Sequence, residues 1–311
     1  MNITLENPFF AWLIDLLKAT AEIRVPFLDS VMLFVSDLGL ETFFIVLGLA
    51  IVWCVDKKFG YRFFIVFLVG NYLNMALKAV FRIPRPWVID KDFKIVEAAR
   101  EGATGWSFPS GHTQSATLLY GSMPRLIKKT WSYIVAGVII LSVAFSRMYL
   151  GVHTLLDVGA AIIVSVAVII LIELLFKCIG DGDRAYAIVS GVATAVLLAR
   201  LVYLLVSGDA DASQLKDAAV IFGTAAGLFA GSLVERYRIK FDTKAVWWMQ
   251  IIKVVLGVGL ILAIRVGLKP LLALISPSPV MDAVRYFAMC FFALGVYPLV
   301  FKLFAKVGKK K

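Results

Sequence analysis

Apolar runs of about 20 residues recur along the whole chain, separated by short polar connections. A helix of this length matches the hydrocarbon core of a bilayer, which is about 30 Å thick. Because that core holds no water for backbone groups to bind, each run is predicted to be an α-helix. The pattern predicts about nine spans, near residues 40–55, 60–82, 110–127, 131–150, 153–178, 184–207, 216–235, 245–267 and 283–304.

The segment before the first span is interrupted at helical spacing by Asp15, Lys18, Glu22 and Arg24. This pattern predicts an amphipathic helix on the membrane surface, with a further span inside 9–36 as the alternative. The fold class is therefore all-α, a polytopic membrane helix bundle. We expect three parts: an amphipathic N-terminal segment, a core and additional transmembrane helices, over residues 1–38, 39–207 and 208–311.

The composition supports a membrane protein. Of the 311 residues, 61% are hydrophobic and 17% are charged, against about 45–50% and 25% in an average globular protein. These values exclude a soluble enzyme, a disordered tail and a disulfide scaffold. The scattered Cys54, Cys178 and Cys290 form no C-x-x-C pair, which favours small buried residues over a disulfide or zinc site.

The net charge of +11 arises mainly in the connections between the spans. More than half of the 32 basic residues follow the odd-numbered spans or lie in the tail: Lys57, Lys58, Arg62, Arg125, Lys128, Lys129, Lys177, Arg184, Arg236, Arg238, Lys240, Lys244, Lys302, Lys306, Lys309, Lys310 and Lys311. The opposite side holds 83–109, 150–153, the acidic 207–217 and the proline-rich 269–282. The positive-inside rule then predicts an external N-terminus and a cytoplasmic C-terminus. The charge indicates orientation and not a nucleic-acid partner.

The two histidines, His112 and His153, both fall at predicted span ends on the extracytoplasmic side. Near them, Lys78 ends an apolar run, and Arg85 follows seven residues later, just before Pro86. Two helical turns would bring Lys78 and Arg85 to one face, although the prolines are expected to end the helix. Taken alone, both cations could also be span-end residues that extend their charge into water.

His112 lies at the predicted start of a helix, after Ser110 and Gly111. Ser110 is a suitable N-cap, and the free backbone N–H groups of a helix start can bind an anion. Gly111 would let that anion approach closely. An ordinary capped helix start with a surface histidine is the alternative.

His153 and Asp157 are one helical turn apart, so they are predicted to share a face. The carboxylate of Asp157 can accept from one ring nitrogen and leave the other nitrogen free to react. Arg147 lies just across a short turn. An aspartate inside an apolar span is costly and therefore a candidate functional residue. Glu173 and Arg200 also lie inside predicted spans, where an ion pair between helices is the favoured interpretation.

Cations, a helix N-terminus, two histidines and an aspartate thus converge on one membrane face. Cations and backbone N–H groups bind phosphate oxygens, while one histidine can attack and the other can donate a proton. The combination predicts a phosphoryl-transfer site. The sequence shows no clustered carboxylates of the kind that a magnesium site uses, so no metal is predicted.

Together the three segments resemble the signature of the type 2 phosphatidic acid phosphatase (PAP2) superfamily, K-x6-R-P, P-S-G-H and S-R-x5-H-x3-D. The matching residues are Lys78, Arg85, Pro86, Pro109, Ser110, Gly111, His112, Ser146, Arg147, His153 and Asp157. The resemblance covers roughly residues 60–180. It implies a PAP2-type core, which a C-terminal helical extension would follow.

The resemblance also implies roles for these residues. His153 would be the nucleophile that forms a phosphohistidine, and Asp157 would orient it. His112 would protonate the leaving oxygen and then activate water. The phosphate would be held by Lys78, Arg85, Ser110, Gly111 and Arg147. Members of this family need neither a metal nor an organic cofactor.

The predicted substrate is a lipid phosphate or diphosphate that reaches the site from the bilayer. Undecaprenyl diphosphate, phosphatidic acid, phosphatidylglycerol phosphate and sphingoid phosphates are the candidates. Nine spans and an external N-terminus resemble the glucose-6-phosphatase branch, so a soluble sugar phosphate is the alternative. A non-enzymatic lipid transporter or scaffold is a third hypothesis, disfavoured because binding alone would not require the nucleophile.

We expect an integral protein of a bacterial plasma membrane, with its site on the external side. A location in the endoplasmic reticulum would preserve the same orientation, with the lumen as the outside. No feature of the sequence predicts an oligomeric state.

Overall fold

The computed structural model describes residues 3–208 and 210–306, and these residues form helices and no β-strand. The helices are α1 (Pro8–Ala21), α2 (Pro26–Asp37), α3 (Glu41–Cys54), α4 (Lys57–Phe81), α5 (Pro86–Ile89), α6 (Gly111–Ile127), α7 (Thr130–Tyr149), α8 (Leu155–Ile179), α9 (Asp183–Ser207), α10 (Ala212–Val234), α11 (Trp247–Ile275), α12 (Pro279–Phe291) and α13 (Phe301–Lys306). The all-α prediction is confirmed. Asp209 of the acidic stretch and the tail residues Lys309, Lys310 and Lys311 lie outside the described residues.

Each of the nine predicted spans contains a helix, but not every helix is long and apolar enough to cross a membrane. Seven segments of the described chain meet that requirement: Lys57–Ile89, Thr130–Tyr149, Leu155–Ile179, Asp183–Ser207, Ala212–Ile239, Trp247–Ile275 and Pro279–Phe304. An eighth would require α2 and α3, which are bent by 43° at a short break, to act as one span. Helix α6, with 17 residues, is not among them. The protein is therefore a polytopic membrane protein, while the count of nine stays a prediction.

Helix α11 is longer than the sequence pattern predicts. It continues through Pro270 to Ile275, and α12 begins at Pro279, so the prediction that the whole of 269–282 is a connection is wrong for 269–275 and for 279–282. Proline is tolerated within membrane helices because neighbouring groups can compensate the lost hydrogen bond. The connection begins at Ser276, two residues before the N-cap of α12, Ser278.

The chain divides into two compact units. The first comprises the chain up to Ile45 together with Val69–Glu173, and the second comprises Val46–Leu68 and the chain from Leu174 onward. Every residue of the predicted site lies in the first unit. Glu173, at the end of this unit, lies 4.0 Å from the guanidinium of Arg125, which gives it a cationic neighbour on another helix.

Within the first unit, the N-terminal segment forms two helices, and α1 turns its apolar side toward the protein. Ile14 and Leu17 of α1 are fully buried in a cluster that includes Phe93, Met148 and Val158. Burial of an aliphatic side chain of this size contributes about 1.5–3 kcal/mol. Helix α1 is thus packed over the loop that precedes α6 and over the ends of α7 and α8.

Glycines set the close packing of α10 against α12 in the second unit. A Cβ atom at Gly223 would collide with the carbonyl oxygen of Ala283, and one at Gly227 would lie 2.5 Å from that of Phe287. Side chains at these positions are therefore excluded, and the two backbones can approach as small residues allow in membrane helix pairs.

Candidate active site

Arg85 is fixed by the loop that follows α4. Helix α4 ends at Phe81, and the prolines on either side of Arg85 prevent it from continuing. The Arg85 guanidinium is buried and donates to three carbonyl oxygens, those of Thr104 at 2.7 Å, Val152 at 3.0 Å and Gly105 at 3.1 Å. Arg85 is thus a positioned, buried cation and not a charge that extends into water.

The start of α6 is fastened to its surroundings by its cap. Ser110 is the N-cap, as predicted, and its hydroxyl accepts from the backbone N–H of Thr113. The Ser110 N–H donates to the carbonyl oxygen of Asp157 at 3.1 Å, which ties α6 to the start of α8. The amide of Asn74 on α4 donates to the Pro109 carbonyl oxygen at 3.3 Å. A Cβ atom at Gly111 would meet nothing within 4 Å, so space remains open beside this helix start.

His153 and Asp157 are neighbours, although His153 precedes α8 instead of belonging to its first turn. The Nδ1 atom of His153 lies 3.6 Å from Oδ2 of Asp157, and both side chains are buried. Asp157 Oδ2 accepts from the backbone N–H of Thr154 at 2.7 Å, while the Thr154 hydroxyl accepts from the Asp157 N–H. This reciprocal pair is a capping box, and it holds the carboxylate beside the imidazole.

Arg147 comes from the end of α7 and has unused donors. One guanidinium nitrogen donates to the hydroxyl of Ser36 on α2 at 2.6 Å. Its Nε and NH2 atoms are buried and have no hydrogen-bond partner among the described residues. Buried N–H groups of a cation without partners are costly, and such groups are well suited to phosphate oxygens.

Lys78 lies near the end of α4, and its Nζ atom donates to the carbonyl oxygen of Trp106 at 2.9 Å. Together with Arg85 and Arg147, its charge acts on both histidines. Burial and then the charges of these three cations, Arg147 foremost, lower the pKa of His112 to about 3. Burial and the same cations, Arg85 foremost, hold the pKa of His153 well below its usual value. Both imidazoles are thus neutral in the free protein.

The position of the hydrogen on the neutral His153 ring follows from its neighbours. Arg85 NH1 lies 2.9 Å from Nε2 and 3.5 Å from Nδ1. Since a guanidinium can only donate, Nε2 must carry a lone pair and Nδ1 the hydrogen. The Nε2 lone pair therefore lies next to a buried cation, and an imidazole nitrogen in this form can act as a nucleophile.

Three residues near the site escape the sequence patterns. Ser107, directly before Phe108, bridges His153 and Asp157; Ser36 binds Arg147 and Asn74 binds the Pro109 carbonyl. The position of Ser107, two residues before Pro109 of the second motif, could have indicated that it lies near the site. No local sequence feature indicates this for Ser36 or Asn74. Ser146 of the third motif donates to its own helix, to Val143. Within the described residues, no group of three or more His, Cys, Asp or Glu side chains could hold a metal ion.

Comparison with known proteins finds two family patterns that match this chain. The sequence pattern of the PAP2 superfamily matches residues 59–179, and that of the PAP2 superfamily phosphatase transmembrane extension matches residues 219–310. The phosphatidylglycerophosphatase B of Bacillus subtilis is 34% identical over 154 residues, which are 45% of this chain and 71% of that protein.

The sphingosine-1-phosphate phosphatase 1 of Rattus norvegicus is 25% identical over 252 residues, or 75% of this chain. This chain spans only 57% of the length of that relative. Among solved structures, the crystal structure of a transmembrane PAP2 type phosphatidylglycerolphosphate phosphatase from Bacillus subtilis has a TM-score of 0.48 and 29% identity. The match covers 56% of this chain and 89% of the solved chain.

Proposed function

Because this chain belongs to the PAP2 superfamily of membrane phosphatases, we propose that it hydrolyses a lipid phosphate or lipid diphosphate through a phosphohistidine on His153. The observation that carries the proposal is the position of Arg85 NH1, 2.9 Å from His153 Nε2. A cation that binds phosphate oxygens next to a neutral, oriented imidazole brings the nucleophile and the phosphorus together.

In the first step, the Nε2 lone pair of His153 attacks phosphorus, and the bond between phosphorus and the leaving oxygen breaks. His112, protonated once the anionic substrate has bound, gives its proton to that oxygen. The negative charge of the phosphate offsets the three cations that disfavour a charged His112 in the free protein. Asp157 stabilises the positive charge that develops on His153.

In the second step, neutral His112 takes a proton from a water molecule whose oxygen attacks phosphorus. The N–P bond breaks, inorganic phosphate leaves and His153 returns to its neutral form. Throughout both steps Arg85, Arg147 and Lys78, with the N–H groups at the start of α6 near Ser110 and Gly111, hold the phosphate oxygens and stabilise their charge.

A lipid substrate is favoured over a sugar phosphate by the relatives of this chain. Their names describe phosphatases of sphingosine-1-phosphate, phosphatidylglycerophosphate and undecaprenyl diphosphate, all of which are lipid phosphates. We therefore propose a lipid that enters the site from the bilayer with its tail left among the acyl chains.

The orientation that accompanies this function is also a proposal. The basic connections after the odd-numbered predicted spans support a cytoplasmic C-terminus, an external N-terminus and an extracytoplasmic site. The relative from Bacillus subtilis supports a bacterial plasma membrane.

We further propose a division of the chain into three parts. Residues 39–207 form the phosphatase part, which is preceded by an N-terminal segment over 1–38 and followed by additional transmembrane helices over 208–311.

The test is phosphate release by the purified protein in detergent. Undecaprenyl diphosphate, phosphatidic acid, phosphatidylglycerol phosphate, a sphingoid phosphate and glucose-6-phosphate are compared at matched concentrations, with EDTA present. We expect release from at least one lipid, inhibition by vanadate and loss of at least about 1,000-fold in kcat for His153→Asn. Normal turnover by that variant would contradict the phosphohistidine, and a preference for glucose-6-phosphate would contradict the lipid substrate.

A further inference from the structure

Ser107 lies between the nucleophile and its carboxylate. Its side chain is fully buried, its hydroxyl donates to Asp157 Oδ2 at 2.7 Å, and the same oxygen lies 3.4 Å from His153 Nδ1. The direct distance between His153 Nδ1 and Asp157 Oδ2 is 3.6 Å, which is longer than a hydrogen bond of useful strength. The hydroxyl of Ser107 is thus the closer acceptor for the Nδ1 hydrogen.

The donors and acceptors around His153, Ser107 and Asp157 allow only one direction of hydrogen bonding among these three residues. Arg85 donates to His153 Nε2, so the neutral ring carries its hydrogen on Nδ1 and needs an acceptor there. The Ser107 hydroxyl has one hydrogen, which it gives to Asp157, and lone pairs that can accept from Nδ1. The result is a chain from the His153 N–H through the Ser107 hydroxyl to the Asp157 carboxylate.

The Asp157 oxygen nearest to His153, Oδ2, already accepts two hydrogen bonds. Asp157 Oδ2 accepts from the Thr154 N–H at 2.7 Å as well as from Ser107. A third donor at this oxygen would have to displace one of these bonds. The backbone of Ser107 is held in turn, because its N–H donates to the Ile83 carbonyl oxygen at 2.8 Å. Ser107 is therefore fixed between the two side chains.

We propose that Ser107 is a positioning residue that accepts the Nδ1 hydrogen of His153 and so connects this ring to Asp157. This inference rests on the proposed phosphohistidine mechanism. Without the Ser107 hydroxyl, the His153 ring loses its nearest hydrogen-bond acceptor. The carboxylate of Asp157 then stabilises the reacting imidazole less well, because no hydrogen-bonded group connects the two. The chemical step should then slow while substrate binding, which depends on Arg85, Arg147 and Lys78, changes little.

Three variants test this role. Ser107→Ala should lower kcat about 10- to 100-fold with KM within about twofold, a loss typical of residues that orient a reactive group. Ser107→Thr retains the hydroxyl and should recover most of the activity. The matched control is Ser165→Ala, because Ser165 is a fully buried serine on α8 whose hydroxyl donates to the Ala161 carbonyl oxygen of its own helix. That control should match the wild type in kcat and KM, and melting curves verify that each variant is folded.

A double-mutant cycle separates positioning from a purely structural effect. If Ser107 acts through Asp157, adding Ser107→Ala to Asp157→Asn should reduce kcat by less than about twofold further. Full additivity of the two losses, or a Ser107→Ala variant with wild-type kcat, would overturn the proposal.

A second measurement does not depend on turnover. With two histidines in the chain, nitrogen-15 NMR of labelled imidazoles can report each tautomer, with His112→Asn used for assignment. We expect His153 to carry its hydrogen on Nδ1 in the wild type and in Ser107→Ala, because Arg85 donates to Nε2 in both. The proton signal of this Nδ1–H group should move upfield in Ser107→Ala, where the hydrogen has lost its nearest acceptor. An unchanged Nδ1–H signal overturns the inference about Ser107, whereas lack of phosphate release by the wild type overturns the proposed function alone.

Discussion

At the scale of single residues, the two arginines of the site donate their hydrogen bonds to neutral groups. Arg85 uses backbone carbonyls as acceptors, and Arg147 leaves two nitrogens without partners in the described part of the chain. Burying such charges costs free energy unless a ligand supplies the missing acceptors. The arrangement therefore favours a ligand with several anionic oxygens.

Arg147→Lys tests whether these unpartnered nitrogens bind phosphate. A lysine keeps the charge but loses the planar set of donors, so kcat/KM should fall about 100-fold, comparable to the loss of one oxyanion donor. Arg125→Lys is the control, because Arg125 lies 4.0 Å from Glu173 and donates to the Gly121 carbonyl oxygen of its own helix. Steady-state kinetics on the best lipid substrate give the comparison. A value within threefold of the wild type would argue against phosphate binding by Arg147.

A second residue-scale prediction concerns the pH dependence of anion binding. Since burial and neighbouring cations lower the pKa of His112 to about 3, the free protein holds this ring neutral, and a bound dianion should raise its pKa. Anion binding then takes up a proton, so the affinity for an anion should decrease as the pH rises. The inhibition constant of sulfate, which stays a dianion, is measured from pH 5.5 to 8.5. We expect weaker inhibition at high pH and a flatter profile for His112→Asn; an equally flat profile for the wild type would refute the coupling.

At the scale of elements, the helix ends position the chemistry, while glycines set the helix packing. The cap of α6, the capping box before α8 and the loop after α4 each carry site residues. In the second unit, by contrast, the glycines of α10 determine how closely α12 can approach. The local sequence thus has two different effects. Caps and prolines orient the polar groups of the site, whereas glycines leave out side chains so that two helices can pack closely.

Gly227→Leu tests the packing of α10 against α12. The new side chain would collide with the Phe287 carbonyl and with Cys290, and overpacking of this kind costs about 1–3 kcal/mol or more. The melting temperature of the purified protein should fall clearly. Gly259→Leu on α11 is the matched control, because a Cβ there meets nothing within 4 Å. Equal melting temperatures for the two variants would contradict the close approach of the helices.

At the scale of the whole molecule, the unequal distribution of charge predicts the orientation in the membrane. In a background without Cys54, Cys178 and Cys290, single cysteines replace the exposed Glu101 and Lys128. A maleimide that cannot cross membranes should label Glu101→Cys on intact cells and label Lys128→Cys only after the membrane is permeabilised. The reverse pattern would place the site in the cytoplasm and overturn the proposed orientation.

The sequence by itself determined the helices, the membrane class and the residues of the three motifs. Hydrophobic runs, the prolines beside Arg85 and the one-turn spacing of His153 and Asp157 are local signals, and local geometry follows from them. The helix boundaries were less well determined, as the extension of α11 through Pro270 demonstrates, because neighbouring groups can compensate a proline in a membrane helix.

Only the tertiary structure decided which residues complete the site. Ser36 binds Arg147 across 111 positions of sequence, and Ser107 contacts Asp157 across 50. No periodicity relates such pairs, since their contact depends on how α2, α7 and the loop before α6 pack. Burial likewise emerges only on folding: it is the packed surroundings that make Arg85 a desolvated cation and keep both histidines neutral.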